Sequence, residues 1–168
     1  GNNGGHTIEA SMGTYWNEDG LDRKHIFNNV EIIENDGNGI SLLSGDFEIN
    51  HCLIVENAGY PISFDQEGKR IQIDHSTILT EEDYFLYNSQ EWVAYYFDLS
   101  VSNSILYSYI GASITYFNST ENIYGLTFSY NDIVGDCNNI EWEYYYDYLN
   151  PTCIGNIDED PLLYVGAP

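Results

Sequence analysis

Phe27-Asn28-Asn29-Val30, Ile49-Asn50-His51-Cys52-Leu53-Ile54, Ile73-Asp74-His75-Ser76-Thr77-Ile78, Val101-Ser102-Asn103-Ser104-Ile105-Leu106 and Phe128-Ser129-Tyr130-Asn131-Asp132-Ile133 are one phrase written five times. Each version runs from an alternating strand through a polar pair to another apolar step. With Asn28, Asn50, Asp74, Ser102 and Ser129 taken as equivalent, the steps are 22, 24, 28 and 27 residues. Self-similarity at such a period marks a solenoid, whose units bury their apolar sides only by stacking on one another.

The coil from Ile49 to Ile71 shows the parts. Ile49 to Val55 alternates, Glu56-Asn57-Ala58-Gly59 turns, Pro61-Ile62-Ser63-Phe64 is a second strand, and Asp65-Gln66-Glu67-Gly68 turns again into Ile71-Gln72-Ile73. Three strands per turn result. β-Branched and aromatic residues between Gly, Asn and Asp breaks are strand-and-turn chemistry, and no window of helical length keeps a 3.6-residue period. A one-residue slip would exchange buried and exposed faces, so the pattern expects Ile49, Ile73, Val101 and Phe128 in one inward column.

These repeats resemble those of right-handed parallel β-helix proteins, the pectate-lyase-like superfamily. The tail Gly155-Asn156-Ile157-Asp158-Glu159-Asp160-Pro161-Leu162-Leu163 resembles the ending of β-helix repeat regions in secreted bacterial and archaeal surface proteins. The resemblance spans roughly residues 5 to 165 and implies an all-β, right-handed parallel β-helix of five to six coils. Residues 1–26 then form a first coil or cap, with the strand near Thr7 followed by a Gly13-Thr14-Tyr15 turn. Residues 27–133 form the repeat body and residues 134–168 an aromatic C-terminal segment. The same coil carries lyases, hydrolases, adhesins and structural spikes, so it implies architecture and not activity.

Composition narrows the setting. The chain has 168 residues, 43% of them apolar, enough for one continuous core. Its 27 Asp and Glu against 4 Lys and Arg give a net charge of −23. Such a field repels nucleic acid and anionic membrane surfaces and favours cations, cationic surfaces or a salty medium. Much of it also serves as a solvated outer face that discourages edge pairing. No stretch approaches the ~20 apolar residues of a membrane span, so no membrane insertion is expected. Gly1 in place of an initiator Met reads as a processed start or the edge of a longer protein. Cys52 aligns with Ser76 and Ser104 and is expected as a buried free thiol. Cys137 and Cys153 flank an aromatic loop and are expected as a disulfide, which places the chain outside the cytosol, extracellular or at a cell surface.

Two aromatic segments stand out as contact surfaces. One holds Tyr84, Tyr87, Trp92, Tyr95 and Tyr96 in a lateral excursion beside Glu81-Glu82-Asp83; the other holds Trp142, Tyr144, Tyr145 and Tyr146. Rings beside carboxylates hold sugars, and they equally hold protein partners or simply pack inside the coil. His51, His75 and Asn103 share one repeat position, where structural stacking is favoured over a metal pair. Cys52, Ser76, Ser104 and Asn131 share the next. Asn156, Asp158 and Asp160 alternate oxygen ligands that can chelate Ca²⁺, whereas Asn17 to Asp22 lacks the full spacing of an EF-hand loop. No other cofactor is called for. Asn118-Ser119-Thr120 is a glycosylation sequon.

For function, a lyase needs a base and cationic groups or Ca²⁺ against an acidic substrate, and only Arg23, Lys24, Lys69 and Arg70 are at hand. The expectation is therefore a non-catalytic structural or adhesive β-helix module. It would be a subunit of a surface layer or filament, associating with itself or with adjoining domains. The alternatives are a carbohydrate-binding module and a Ca²⁺-dependent polysaccharide lyase or hydrolase.

Overall fold

The computed structural model describes residues 8–10, 24–42, 45–64, 69–88, 97–117, 123–133, 135, 137, 139–142 and 151–159. Among them every regular element is a strand, and every pairing is parallel. Three sheets run along the molecule. Sheet I comprises β1 (Ile8–Ala10), β4 (Ile40–Leu42), β7 (Ile62–Phe64), β10 (Tyr84–Asn88), β13 (Ser113–Phe117) and β16 (Ile140–Trp142). Sheet II comprises β2 (Lys24–Asn28), β5 (Asp46–Asn50), β8 (Lys69–Asp74), β11 (Phe97–Ser102), β14 (Ile123–Ser129) and β17 (Thr152–Ile154). Sheet III comprises β3 (Glu31–Ile33), β6 (Leu53–Val55), β9 (Thr77–Thr80), β12 (Ile105–Ser108) and β15 (Asp132–Ile133).

The chain visits II, III and I in turn and then steps to the next level, which makes a parallel β-solenoid. It makes about four turns, a minor difference from the five to six coils expected.

The register is the one the repeated phrase dictates. Phe27, Ile49, Ile73, Val101 and Phe128 are paired in succession, and so are Asn28, Asn50, Asp74, Ser102 and Ser129. The first set points inward, with Ile49, Ile73, Val101 and Phe128 all buried. Sheet III contributes the column Ile32, Ile54, Ile78, Leu106, Ile133, and sheet I the column Ile40, Ile62, Leu86, Thr115, Ile140. Like stacks on like at about 4.8 Å along the interior, and each fully buried Ile or Leu contributes roughly 1.5–3 kcal/mol.

The turn from sheet II to sheet III is built the same way at every level. Asn29, His51, His75, Asn103, Tyr130 and Gly155 all have positive φ, between 47° and 62°. One left-handed residue is what bends the strand sharply, and Asn, His and Gly tolerate that region best. Gly155 is required twice over: besides its φ of 62°, a Cβ there would sit 2.8 Å from the Tyr130 ring. At each level the left-handed residue donates its N–H to the next coil, as in His51 to Asp74 (3.1 Å) and Asn103 to Ser129 (3.0 Å).

Candidate functional site

The residue after each left-handed position turns its side chain inward and meets the backbone of the previous coil. Ser76 Oγ accepts from Cys52 N–H at 3.1 Å, Ser104 Oγ from Ser76 N–H at 3.1 Å, Asn131 Oδ1 from Ser104 N–H at 2.9 Å, and Asn156 Oδ1 from Asn131 N–H at 3.0 Å. The two asparagines also donate to carbonyls, Asn131 to Val101 (2.9 Å) and Asn156 to Phe128 (2.9 Å). A buried backbone donor without a partner costs about 1–3 kcal/mol, so this ladder is a structural spine. Cys52 is its apolar variant, a buried free thiol.

Outside the turn lies a clamp centred on Asp74. Ser102 Oγ donates to Asp74 Oδ1 at 2.6 Å, Asn103 Nδ2 donates to the same oxygen at 2.9 Å, and His75 Nδ1 meets Oδ2 at 2.7 Å. Burial pushes the Asp74 carboxyl up, but the hydrogen bonds from Ser102, Asn103 and His75, with the charge of His75, outweigh it and hold it at about 2. His75 also stacks on His51, with ring centroids 5.0 Å apart and planes within 6°. Although Ser, His and Asp meet here, the carboxylate stands between the other two. The hydroxyl is bonded to Asp74 and not to the imidazole, so the contact that would pass its proton to a base is missing.

The outward side of sheet II is mostly polar, with Ile26 and Ile154 exposed toward its two ends. Lys24, Asp46, Arg70 and Asp98 follow one another across it with alternating sign. Lys24 Nζ pairs with Glu48 and reaches Gln72 at 3.2 Å, and Arg70 Nε lies 3.5 Å from Asp98.

Sheet III differs. Its outward positions read Glu31, Leu53, Thr77, Ile105, Asp132 in one column, with Ile33, Val55 and Tyr107 beside it, while Leu79 in that second row is buried. Ile33 is 43% exposed, and beyond the strand end Tyr109 and Ile110 are 48% and 60% exposed. Tyr107 and Tyr109 pack edge to face at 5.4 Å. The Tyr109 hydroxyl is held above its usual pKa first by burial and then by Glu56, Tyr107 and Glu81, which places carboxylates at the rim of this apolar strip.

Tyr84 and Tyr87, both expected at a contact surface, meet Tyr60 on the sheet I side. Tyr60 and Tyr87 stack at 4.0 Å, and Tyr84 lies 6.2 Å from Tyr60 and 6.3 Å from Tyr87. Burial, then Tyr87, Glu82 and Asp83, raise the Tyr60 hydroxyl pKa. Tyr60 was not among the expected residues, yet it precedes Tyr84 by 24 residues, one coil length, and that spacing is its signal.

Trp92, Tyr95, Tyr96, Tyr144, Tyr145, Tyr146 and Asp160 lie outside the described residues, as does the side chain of Trp142, whose backbone is in β16. Cys137 and Cys153 are joined as a disulfide with Cα atoms 6.1 Å apart, tying the last described strand to a buried sulfur. Asp158 is exposed, whereas the amide oxygen of Asn156 already accepts from both Asn131 nitrogens. Among the described residues no three His, Cys, Asp or Glu side chains gather as an ion-binding group. No family model, curated protein or solved structure matches the chain.

Proposed function

We propose that the chain is a non-catalytic, extracellular structural or adhesive β-helix module, which builds a surface layer or filament by associating with copies of itself. The observation that carries the reading is the apolar outward side of sheet III on a chain of net charge −23. Its central column is self-complementary. When two such faces meet about a two-fold axis, Thr77 of each copy lies at the axis, Leu53 of one copy meets Ile105 of the other, and Glu31 meets Asp132. The apolar centre supplies the attraction, while the carboxylates at both ends repel until a divalent cation such as Ca²⁺ bridges them. Assembly is therefore cation-dependent.

Other features agree with the same role. The polar residues nearest to a catalytic arrangement, Asp74, His75 and Ser102, are engaged with one another, and Lys24 and Arg70 are paired with Glu48 and Asp98. A Ca²⁺-dependent lyase or hydrolase thus has little cationic surface to draw on. The disulfide supports an extracellular setting, and kinship with the pectate-lyase-like superfamily belongs to this proposal. The segments Tyr84–Tyr96 and Trp142–Tyr148 add further contact area.

One observation favours carbohydrate binding as the second reading: Tyr60, Tyr84 and Tyr87 cluster beside Glu82 and Asp83. The Tyr60–Tyr87 stack offers partly exposed rings of the kind that pack on sugars. Light scattering of the natural chain and of the Ile105→Ser, Tyr107→Ser double variant, in Ca²⁺ and in chelator, separates the two. Self-association is expected in the natural chain with Ca²⁺ and is lost in the variant. A monomer under all conditions that binds glycans, and loses them in Tyr60→Ala, moves the function to carbohydrate binding.

A further inference from the structure

The stacked pair His51 and His75 carries a separate inference. Both imidazoles stand in solvent at the same turn position of successive coils, parallel and 5.0 Å apart. The Nδ1 of His75 is held by Asp74 Oδ2 at 2.7 Å. That contact fixes the tautomer, with the proton on Nδ1 and a lone pair on Nε2 directed away from the carboxylate. Asp74 is in turn immobilised through its other oxygen by Ser102 (2.6 Å) and Asn103 (2.9 Å). A carboxylate bonded to one ring nitrogen while the other faces outward is the arrangement that orients histidines toward metal ions.

We propose that His51 and His75 form a two-histidine site for a borderline divalent transition-metal ion of the Zn²⁺ class, with Asp74 as the positioning residue and water completing the coordination. Two nitrogens on one tetrahedral Zn²⁺ lie roughly 3.4 Å apart, given Zn–N distances of about 2.0–2.1 Å. Both rings are exposed, so a tilt about their side-chain bonds brings them from the parallel stack toward one ion. Imidazole nitrogen selects Zn²⁺, Ni²⁺ or Cu²⁺ over Ca²⁺, which takes oxygen ligands. The site is thus chemically distinct from the carboxylate bridges proposed for assembly, and it does not depend on them. Neither Cys137 and Cys153, joined as a disulfide, nor the buried Cys52 competes for the ion.

The test is calorimetric titration of Zn²⁺, and separately of Ni²⁺, into the full chain at neutral pH with Ca²⁺ in excess to occupy carboxylates. One ion per chain is expected. His51→Ala and His75→Ala each lower the affinity at least about tenfold, and Asp74→Asn lowers it by about tenfold or more. His6→Ala and His25→Ala leave it unchanged. Ring-proton NMR of the natural chain is expected to show the His51 and His75 signals moving together on addition of Zn²⁺. His51→Gln and His75→Gln, checked for unchanged urea unfolding, guard against loss of fold. Absence of binding, binding that survives either His51 or His75 variant, or an affinity indifferent to Asp74→Asn overturns the proposal.

Discussion

The amide oxygen of Asn131 accepts the backbone N–H of Ser104 from one coil earlier at 2.9 Å, while its nitrogen donates to Val101 O at 2.9 Å. One side chain thus closes two backbone groups of the neighbouring level, and it does so while 1% exposed. Replacing Asn131 with Ala leaves both groups without that partner in a buried setting. A loss of about 2–4 kcal/mol in urea unfolding is expected. A change under about 0.5 kcal/mol would show that water substitutes for the ladder.

The Asp74 clamp sets a pH dependence. Its folded pKa is depressed to about 2 from 3.8. The clamp's contribution is therefore present above the unfolded value and is lost as pH falls through that window. Because the side chain is more than one-third exposed, solvent screening reduces the contribution to roughly 1 kcal/mol. Unfolding of the natural chain and of Asp74→Asn, followed in chelator from pH 5 to pH 2, is expected to differ at pH 5 and to converge toward pH 2. Parallel curves across that range would contradict the assignment.

The disulfide between Cys137 and Cys153 spans 16 residues. Closing a loop of that length stabilises the folded chain by about 3 kcal/mol through the unfolded ensemble. The Cys137→Ser, Cys153→Ser double variant is expected to lose stability of that order while the far-UV spectrum of the coils is kept. Because Cys52 is buried, reductant should act on the natural chain through this bond alone, and its effect should vanish in the double variant.

Twenty-three uncompensated negative charges repel in the compact state, and salt shortens their reach to about 10 Å at 0.1 M. Raising NaCl or adding Ca²⁺ is expected to increase stability by about 1 kcal/mol or more, a rise of about 2–4 °C in Tm. Identical melting curves in low salt, high salt and Ca²⁺ would mean that the charges are already harmlessly spaced.

How much of this was legible follows from the length scale of each feature. The inward column Ile49, Ile73, Val101, Phe128 and the His51–His75 stack were readable because strand, turn and strand lie within a few residues, and the phrase recurs. The alternation of Asn156 with Asp158 and Asp160 suggests Ca²⁺ ligation, whereas its distance of 25 residues from Asn131 is the sign that it continues the ladder. The apolar outward side of sheet III was hidden for a physical reason. Leu53-Ile54-Val55 is apolar on both faces, so so short a strand shows no alternation from which an outward face can be told. Tyr60 was missed because it stands in a turn beside Pro61, and only the fold brings it to Tyr87.

Assembly through sheet III is most directly tested at Thr77, the middle rung of the outward column Glu31, Leu53, Thr77, Ile105, Asp132. Thr77→Cys places a thiol where the two-fold axis is proposed to pass; Ser100→Cys places one on the polar sheet II. Oxidation in Ca²⁺, read on a non-reducing gel, is expected to give covalent dimers from Thr77→Cys and few or none from Ser100→Cys. Equal cross-linking of the two variants, or monomer from both, would contradict the account.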